Sequence, residues 1–242
     1  MAARATLVSA TVGMLLAWPA AAPGATPVRK DFYGDGANRA AFQVINRDGR
    51  RAVRFFAIEL GSDCAGVPEG IRGRVRLIRV SRTGRFSDTF RAGNLIYQRV
   101  SGRFTSPRRA SGTFRARSNV EVSCDTGVKR WSAKAVNRRS VRTGTWRGSV
   151  TGSPLSFKVF SGGRAVEMIG GTVRSTCTPS ASFGLPPTSS TIVAPDGSFR
   201  LSLGGGFFGG RFTGSRRAAG TVETVFASTP PCPIAVPWTA RR

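Results

Sequence analysis

Beyond residue 30, apolar and polar residues alternate with a period of two through most of the chain. In Gly112-Thr-Phe-Arg-Ala-Arg117 and Ser198-Phe-Arg-Leu-Ser-Leu203 every second side chain is apolar, the signature of a strand with one face on a core and one in water. Ile71, Gly73, Val75 and Leu77 alternate in the same way with Arg72, Arg74 and Arg76, which sets a row of guanidiniums on one face. Val53–Leu60, Asn94–Val100, Ser156–Phe160 and Gly220–Phe226 read as further strands, rich in β-branched and aromatic residues. Turn chemistry punctuates them at Arg47-Asp-Gly49, Arg82-Thr-Gly84, Ser161-Gly-Gly163 and Pro195-Asp-Gly197. No window past residue 25 supports a long amphipathic helix.

The pattern occurs twice. Val53 to Cys64 and Val166 to Cys177 are both 11 positions, and Cys64 to Gly84 and Cys177 to Gly197 are both 20. Gly102-Arg-Phe-Thr105, Gly112-Thr113, Cys124 and Trp131-Ser-Ala133 recur as Gly210-Arg-Phe-Thr213, Gly220-Thr221, Cys232 and Trp238-Thr-Ala240. Shared glycines can arise by chance, but two cysteines, a tryptophan and several equal intervals in one order indicate duplication. Each copy is long enough to bury its own core. The prediction is an all-β protein of two tandem antiparallel β-sandwich or barrel-like domains, five to seven strands each. The boundaries are 26–135 and 146–242, with a polar linker at 136–145 and a mobile leader at 23–31. One larger sandwich built from both copies is the alternative.

Residues 1–25 combine Arg4, a short apolar run from Leu7 to Trp18 and the small residues Ala20, Ala21, Ala22 and Ala25, the pattern of a cleaved secretory signal peptide. No later apolar run is long enough for a membrane helix. The expectation is a secreted, extracellular or envelope-associated protein, an environment in which cysteines form disulfides. A unit that duplicated with two cysteines is expected to carry its own bond, so the pairs are Cys64 with Cys124 and Cys177 with Cys232. Their loops of about 60 and 55 residues would each contribute about 4 kcal/mol if unstrained. The chain has no histidine and no CxxC pair, so no metal site or cofactor is expected.

Charge adds one further constraint. The formal net charge is +25, and 33 of the 37 basic residues are arginine. Residues 26–145 hold 26 basic and 9 acidic residues, and residues 146–242 hold 10 and 3, so the first copy is the more cationic. Such an imbalance draws polyanions through steering and counterion release. The arginines that both copies retain are Arg51, Arg103, Arg108 and Arg109, matched by Arg164, Arg211, Arg216 and Arg217, and these are the candidate anion-binding residues. Two of each set lie in Ser-Pro-Arg-Arg-Ala110 and Gly-Ser-Arg-Arg-Ala218, read as exposed hairpin tips. The expected partner is an anionic cell-envelope polymer. Specific nucleic-acid readout has no motif here, and the pattern leaves the oligomeric state open.

Without histidine, the common Ser-His and Cys-His machinery is excluded. Glu59, Asp63, Glu69, Glu121 and Asp125 fall on non-acidic residues of the second copy, so a carboxylate pair such as Glu59 with Glu121 could serve hydrolysis in the first copy alone. Acids that balance neighbouring arginines are the simpler reading, and no catalytic residue is assigned. Gly204–Gly210 lacks the Gly-Lys-Ser/Thr ending of a phosphate loop and reads as a hairpin connection. Trp131 and Trp238 read as core residues packed against the disulfides rather than as platforms for sugars or bases. A structural or protein–protein scaffold is the alternative to polymer binding.

Gly102-Arg-Phe, Gly112-Thr-Phe, Cys124-Asp-Thr-Gly127 and Trp131-Ser-Ala together resemble a group of exported, β-rich tandem-repeat proteins of high-GC bacteria. The second copy has Pro-Ile-Ala in place of Asp-Thr-Gly. That group has no assigned activity, so the resemblance implies an exported β fold and no reaction.

Overall fold

The computed structural model describes residues 25–60, 77–93, 96–118, 124–174, 182–185, 190–203, 206–226 and 232–242. Every regular element in them is a strand. The first sheet holds β1 (Asp31–Gly34), β2 (Asn38–Arg47), β3 (Arg50–Leu60), β4 (Ile78–Arg79), β5 (Arg85–Ala92), β6 (Ile96–Ser106), β7 (Arg109–Ser118), β8 (Cys124–Asp125) and β9 (Lys129–Val136). The second holds β10 (Gly144–Val150), β11 (Ser153–Phe160), β12 (Ala165–Arg174), β13 (Ser182–Leu185), β14 (Ser190–Ile192), β15 (Ser198–Ser202), β16 (Gly206–Phe212), β17 (Arg217–Phe226) and β18 (Cys232–Arg241). Among the described residues, nine strands per copy exceed the five to seven expected. The extra ones, β4, β8, β13 and β14, have two to four residues and are too short to carry a period-two signal.

Strand order in the first sheet is β4-β3-β2-β1-β9-β7-β6-β5, with β8 on β7. All pairings are antiparallel, and the order is chain order read around a circle. The two ends, β4 and β5, meet at the turn through Gly84, where Ser81 N donates to Arg85 O at 2.8 Å. The sheet thus curls into a barrel-like unit. The second sheet repeats it as β13-β12-β11-β10-β18-β17-β16-β15, with β14 on β12. The bonds at the seam repeat as well. Val80 N to Arg51 O, Gly84 N to Ser81 O and Phe104 N to Gly84 O have counterparts in Val193 N to Arg164 O, Gly197 N to Ala194 O and Phe212 N to Gly197 O. Two separate sheets from two copies replace the single larger sandwich.

The shared motif residues stand in one row across each barrel. Register aligns Phe86 with Gly102, Gly102 with Gly112 and Gly112 with Trp131; in the second copy Phe199, Gly210, Gly220 and Trp238 align in the same way. The indole lies across the two glycines. A Cβ on Gly112 would come 2.6 Å from the Trp131 ring, and one on Gly210 would come 2.4 Å from the Trp238 ring. Trp131 and Trp238, 4% and 2% exposed, are therefore core residues. They pack against phenylalanines: Phe42, Phe56 and Phe86 around Trp131, and Phe157, Phe199 and Phe208 around Trp238.

Several local expectations change. Gly206–Phe212 is strand β16, with Phe208 fully buried and Gly210 making room for Trp238. The polar linker is tied to the second copy: Val141 joins the second core, and the Trp146 indole donates to Arg142 O at 3.0 Å. The leader is docked from residue 25 on, with Val28 N donating to Pro107 O and Arg51 Nε to Pro27 O. Residues 1–24 and the arginine-alternating run up to residue 76 lie outside the described residues, as do Cys64 and Cys177. No free thiol occurs among the described residues, and Cys124 is disulfide-bonded. Cys124 stands opposite Ser118, and Cys232 opposite Phe226, the equivalent residue of the second copy.

Candidate anion-binding surface

On the outer face of β5, β6 and β7 the alternating polar residues fall into rows across the strands. Arg85 lies opposite Arg103, which lies opposite Ser111. The next outward row is Ser87, Ser101, Thr113 and Arg130. The third is Thr89, Arg99 and Arg115. A row of hydroxyls thus runs between two rows that carry guanidiniums. Ser101 Oγ and Thr113 Oγ1 share a hydrogen bond of 2.8 Å along the floor. These rows form a groove of about 620 Å³ that Arg79 of β4 extends, and among the described residues none that lines it is Asp or Glu. Arg79, Arg85 and Arg99 are exposed. Arg115, at the border, is held by Asp125 through a fork of 3.0 and 2.5 Å, which raises the Arg115 pKa and takes the Asp125 carboxyl well below its usual range.

The same face of the second copy is neutralised. Ser198, Phe207 and Glu223 stand where the first copy has Arg85, Arg99 and Arg115. Arg200 stacks on Phe207 at 3.8 Å and lies 3.4 Å from Glu223. Arg211, the counterpart of Arg103, pairs with Asp196. The Asp196 carboxyl also accepts from Ser198 N at 3.0 Å and Ser198 Oγ at 2.8 Å. The Ser198 amide, then Arg211 and the Ser198 hydroxyl, lower its pKa to about 2. A depressed folded-state value makes this contribution complete above the unfolded carboxyl's pKa and lost as pH falls toward 2. Acid titration of stability should therefore be shallower between about pH 4 and 2 in Asp196→Asn than in the parent. Equal slopes would count against this assignment.

The eight arginines that both copies retain do not form one site. Arg51 lines a groove with Arg47, Arg50 and Arg79, and Arg79 borders the hydroxyl-floored groove as well. Arg103 lies in that groove, and Ser111 joins it to a neighbouring one lined by Arg109 and Lys134. Arg108 and Arg109 are exposed at the β6–β7 turn, as expected of a hairpin tip. Arg216 and Arg217 are exposed at the corresponding β16–β17 turn. Arg217 is in register with Arg241, and Arg241 with Arg147, which aligns three exposed cations across three strands. Arg211 is paired, as described. Arg164 departs from the expectation altogether: it is 3% exposed and faces the other barrel.

That seam between the barrels also contains Glu59. Arg164 Nη2 pairs with Asp31 of β1, and Arg164 Nη1 donates to Ser161 O and Gly162 O at 3.1 and 2.9 Å. Glu59 accepts from Arg39, from Thr191 Oγ1 at 2.9 Å and from Ile192 N at 2.9 Å. Burial lowers the Arg39 pKa, but Glu59 reverses this and leaves it raised. Tyr33, Ala41 and Ala57 of the first copy pack there on Ala165 and Ile192 of the second. A bulge between Ala41 and Gln43 opposes Phe42 with two residues of β3, and Phe55 takes φ 56°. It sends Phe56 into the core and leaves Phe55 beneath the Arg164 guanidinium, 5.3 Å away. Glu59 is thus a structural tie, while Glu121 lies outside the described residues.

Among the described residues, no cluster of three or more His, Cys, Asp or Glu could hold a metal, and no helix is long and apolar enough to cross a membrane. No protein-family model and no curated protein matches the chain. Arg79, Arg85 and Arg99 escaped the comparison of copies because they are not retained. Their signal was the alternation Arg85-x-Ser87-x-Thr89 beside Arg99-x-Ser101-x-Arg103 and Ser111-x-Thr113-x-Arg115.

Proposed function

We propose that the mature chain is a secreted, non-enzymatic protein whose first barrel holds it on an anionic envelope or extracellular polymer. The carrying observation is the groove on β5, β6 and β7, where guanidiniums flank a hydroxyl floor and no lining residue among those described is acidic. Guanidiniums that bind polymer anions in forked pairs release condensed counterions, so attachment is electrostatic and salt-dependent. The N-terminal sequence supports export. Burial of Cys124 at the start of β8, and the matching register of Cys232, support the pairs Cys64–Cys124 and Cys177–Cys232. Glu59, the carboxylate that a hydrolase reading would use, is taken up by Arg39, Thr191 and Ile192.

The oxidised mature protein should be retained on an anionic cell-wall fraction at low salt and released steeply as salt rises. Retention that does not change with salt, or no retention at low salt, would overturn the proposal.

A further inference from the structure

The geometry points to an acidic polysaccharide, with its carboxylates or sulfates carried on the sugar units, lying across β5, β6 and β7 in the first barrel only. This rests on the proposed polymer binding and gives it a ligand class, an orientation and a place. Arg99 and Arg103 are four residues apart on β6, so the two cationic rows stand about 13 Å apart, with the hydroxyls midway. A polymer running perpendicular to the strands therefore meets guanidiniums on both flanks and hydroxyls beneath. Ser87, Ser101 and Thr113 can each donate and accept, which suits sugar hydroxyls. The row ends at the exposed Arg130, so the track continues toward β9.

The face disfavours nucleic acid. Single strands bind through rings that stack on bases, and the one aromatic residue among the described ones that line the groove, Phe86, is 4% exposed and turned into the core. Trp131, the other candidate platform, lies beneath the sheet. Duplex DNA is read by a helix or a two-stranded ribbon inserted in its major groove, whereas this face is the wall of a barrel. The second copy fails on the same positions. Phe207 and Glu223 replace Arg99 and Arg115, and Gly209 replaces Ser101, so both the cationic flank and the hydroxyl floor are broken.

The test uses the oxidised mature protein with two probes of equal charge number, an oligogalacturonate and a thymidine oligonucleotide. The parent should bind the oligogalacturonate at least tenfold more tightly than the oligonucleotide. R85Q/R99Q should weaken oligogalacturonate binding about tenfold and lower the slope of log Kd against log salt by about 2. R174Q/R200Q removes the same charge from the second copy and should stay within twofold of the parent. Unchanged thermal melting of both variants separates loss of the site from loss of the fold. Equal losses in the two variants would overturn the placement, and tighter binding of the oligonucleotide would overturn the ligand class. If the parent is retained on cell wall with steep salt dependence while R85Q/R99Q binds as the parent does, this inference alone falls. If the parent is not retained at all, the proposed function falls with it.

Discussion

Trp238→Ala and Trp131→Ala should each lower the unfolding free energy by about 3–5 kcal/mol, the range for removing a fully packed aromatic from a core. Each indole spans three strands over two glycines and meets three phenylalanine rings, so nothing small can close the gap. The phenylalanine variants discriminate between the copies. The Trp238 indole donates to Gly209 O at 3.0 Å, while the Trp131 N–H is buried without an acceptor among the described residues. Trp238→Phe therefore leaves a carbonyl unsatisfied and a smaller ring, whereas Trp131→Phe removes a donor that was already unmatched. Denaturant unfolding followed by circular dichroism should rank Trp238→Phe as the more costly by about 1–2 kcal/mol. The reverse ranking would mean that the Trp131 donor is satisfied in solution.

The row of Phe, Gly, Gly and Trp explains why so much of the fold was legible. A residue type spaced equally in two copies marks a position where size is dictated, and the glycines under an indole are such positions. The turns through Gly49, Gly84 and Gly197 were readable for a related reason, since φ of 73°, 72° and 90° strongly favours glycine. The groove was not readable in the same way. Its chemistry arises only when Arg85, Arg99 and Arg103 come together across strands, and register between strands depends on turns and bulges rather than on any one segment. Residues kept in both copies pointed to the shared frame, whereas the proposed binding face lies where the copies diverged.

Arg164 illustrates the opposite limit. It occupies the position of Arg51, a half-buried residue of the first copy, and nothing in its neighbours Gly162, Gly163 and Ala165 announces its deeper burial. Its environment is decided by the other barrel, which supplies Asp31 and Phe55. The linker misled for the same reason: Arg138 and Val141 look solvated in a run of arginines and serines, yet both are drawn into contact with the second copy. Interfaces between units leave little trace in the pattern of either unit, because the residues involved keep the alternation of an ordinary strand face.

Within that seam, Asp31→Asn should cost about 3–5 kcal/mol, the usual loss when one partner of a buried ion pair is removed. Arg164→Met should cost clearly less. Beside the Arg39–Glu59 pair, the seam brings the Arg138 and Arg164 guanidiniums to the carboxylate of Asp31. Burial first, and then the like charge of Arg164, push the Arg138 pKa down to about 10, against the opposing pull of Asp31. Burial likewise lowers the Arg164 pKa, with Asp31 opposing it. Removing Asp31 leaves two buried cations facing each other without a counter-charge. Removing Arg164 leaves one cation and one anion, and Met fills much of the vacated volume against Phe55. The Arg138 Nε and Nη2 atoms, buried and without a partner among the described residues, are the donors that could then turn to Asp31. The double variant D31N/R164M should fall between the singles, and the coupling read from that cycle isolates the pair itself. Calorimetry should also show the two barrels melting less cooperatively in D31N, because the seam joins them. If R164M proves as damaging as D31N, Arg138 does not take over the carboxylate, and the seam depends on the Arg164 contacts to Ser161 and Gly162 rather than on charge balance.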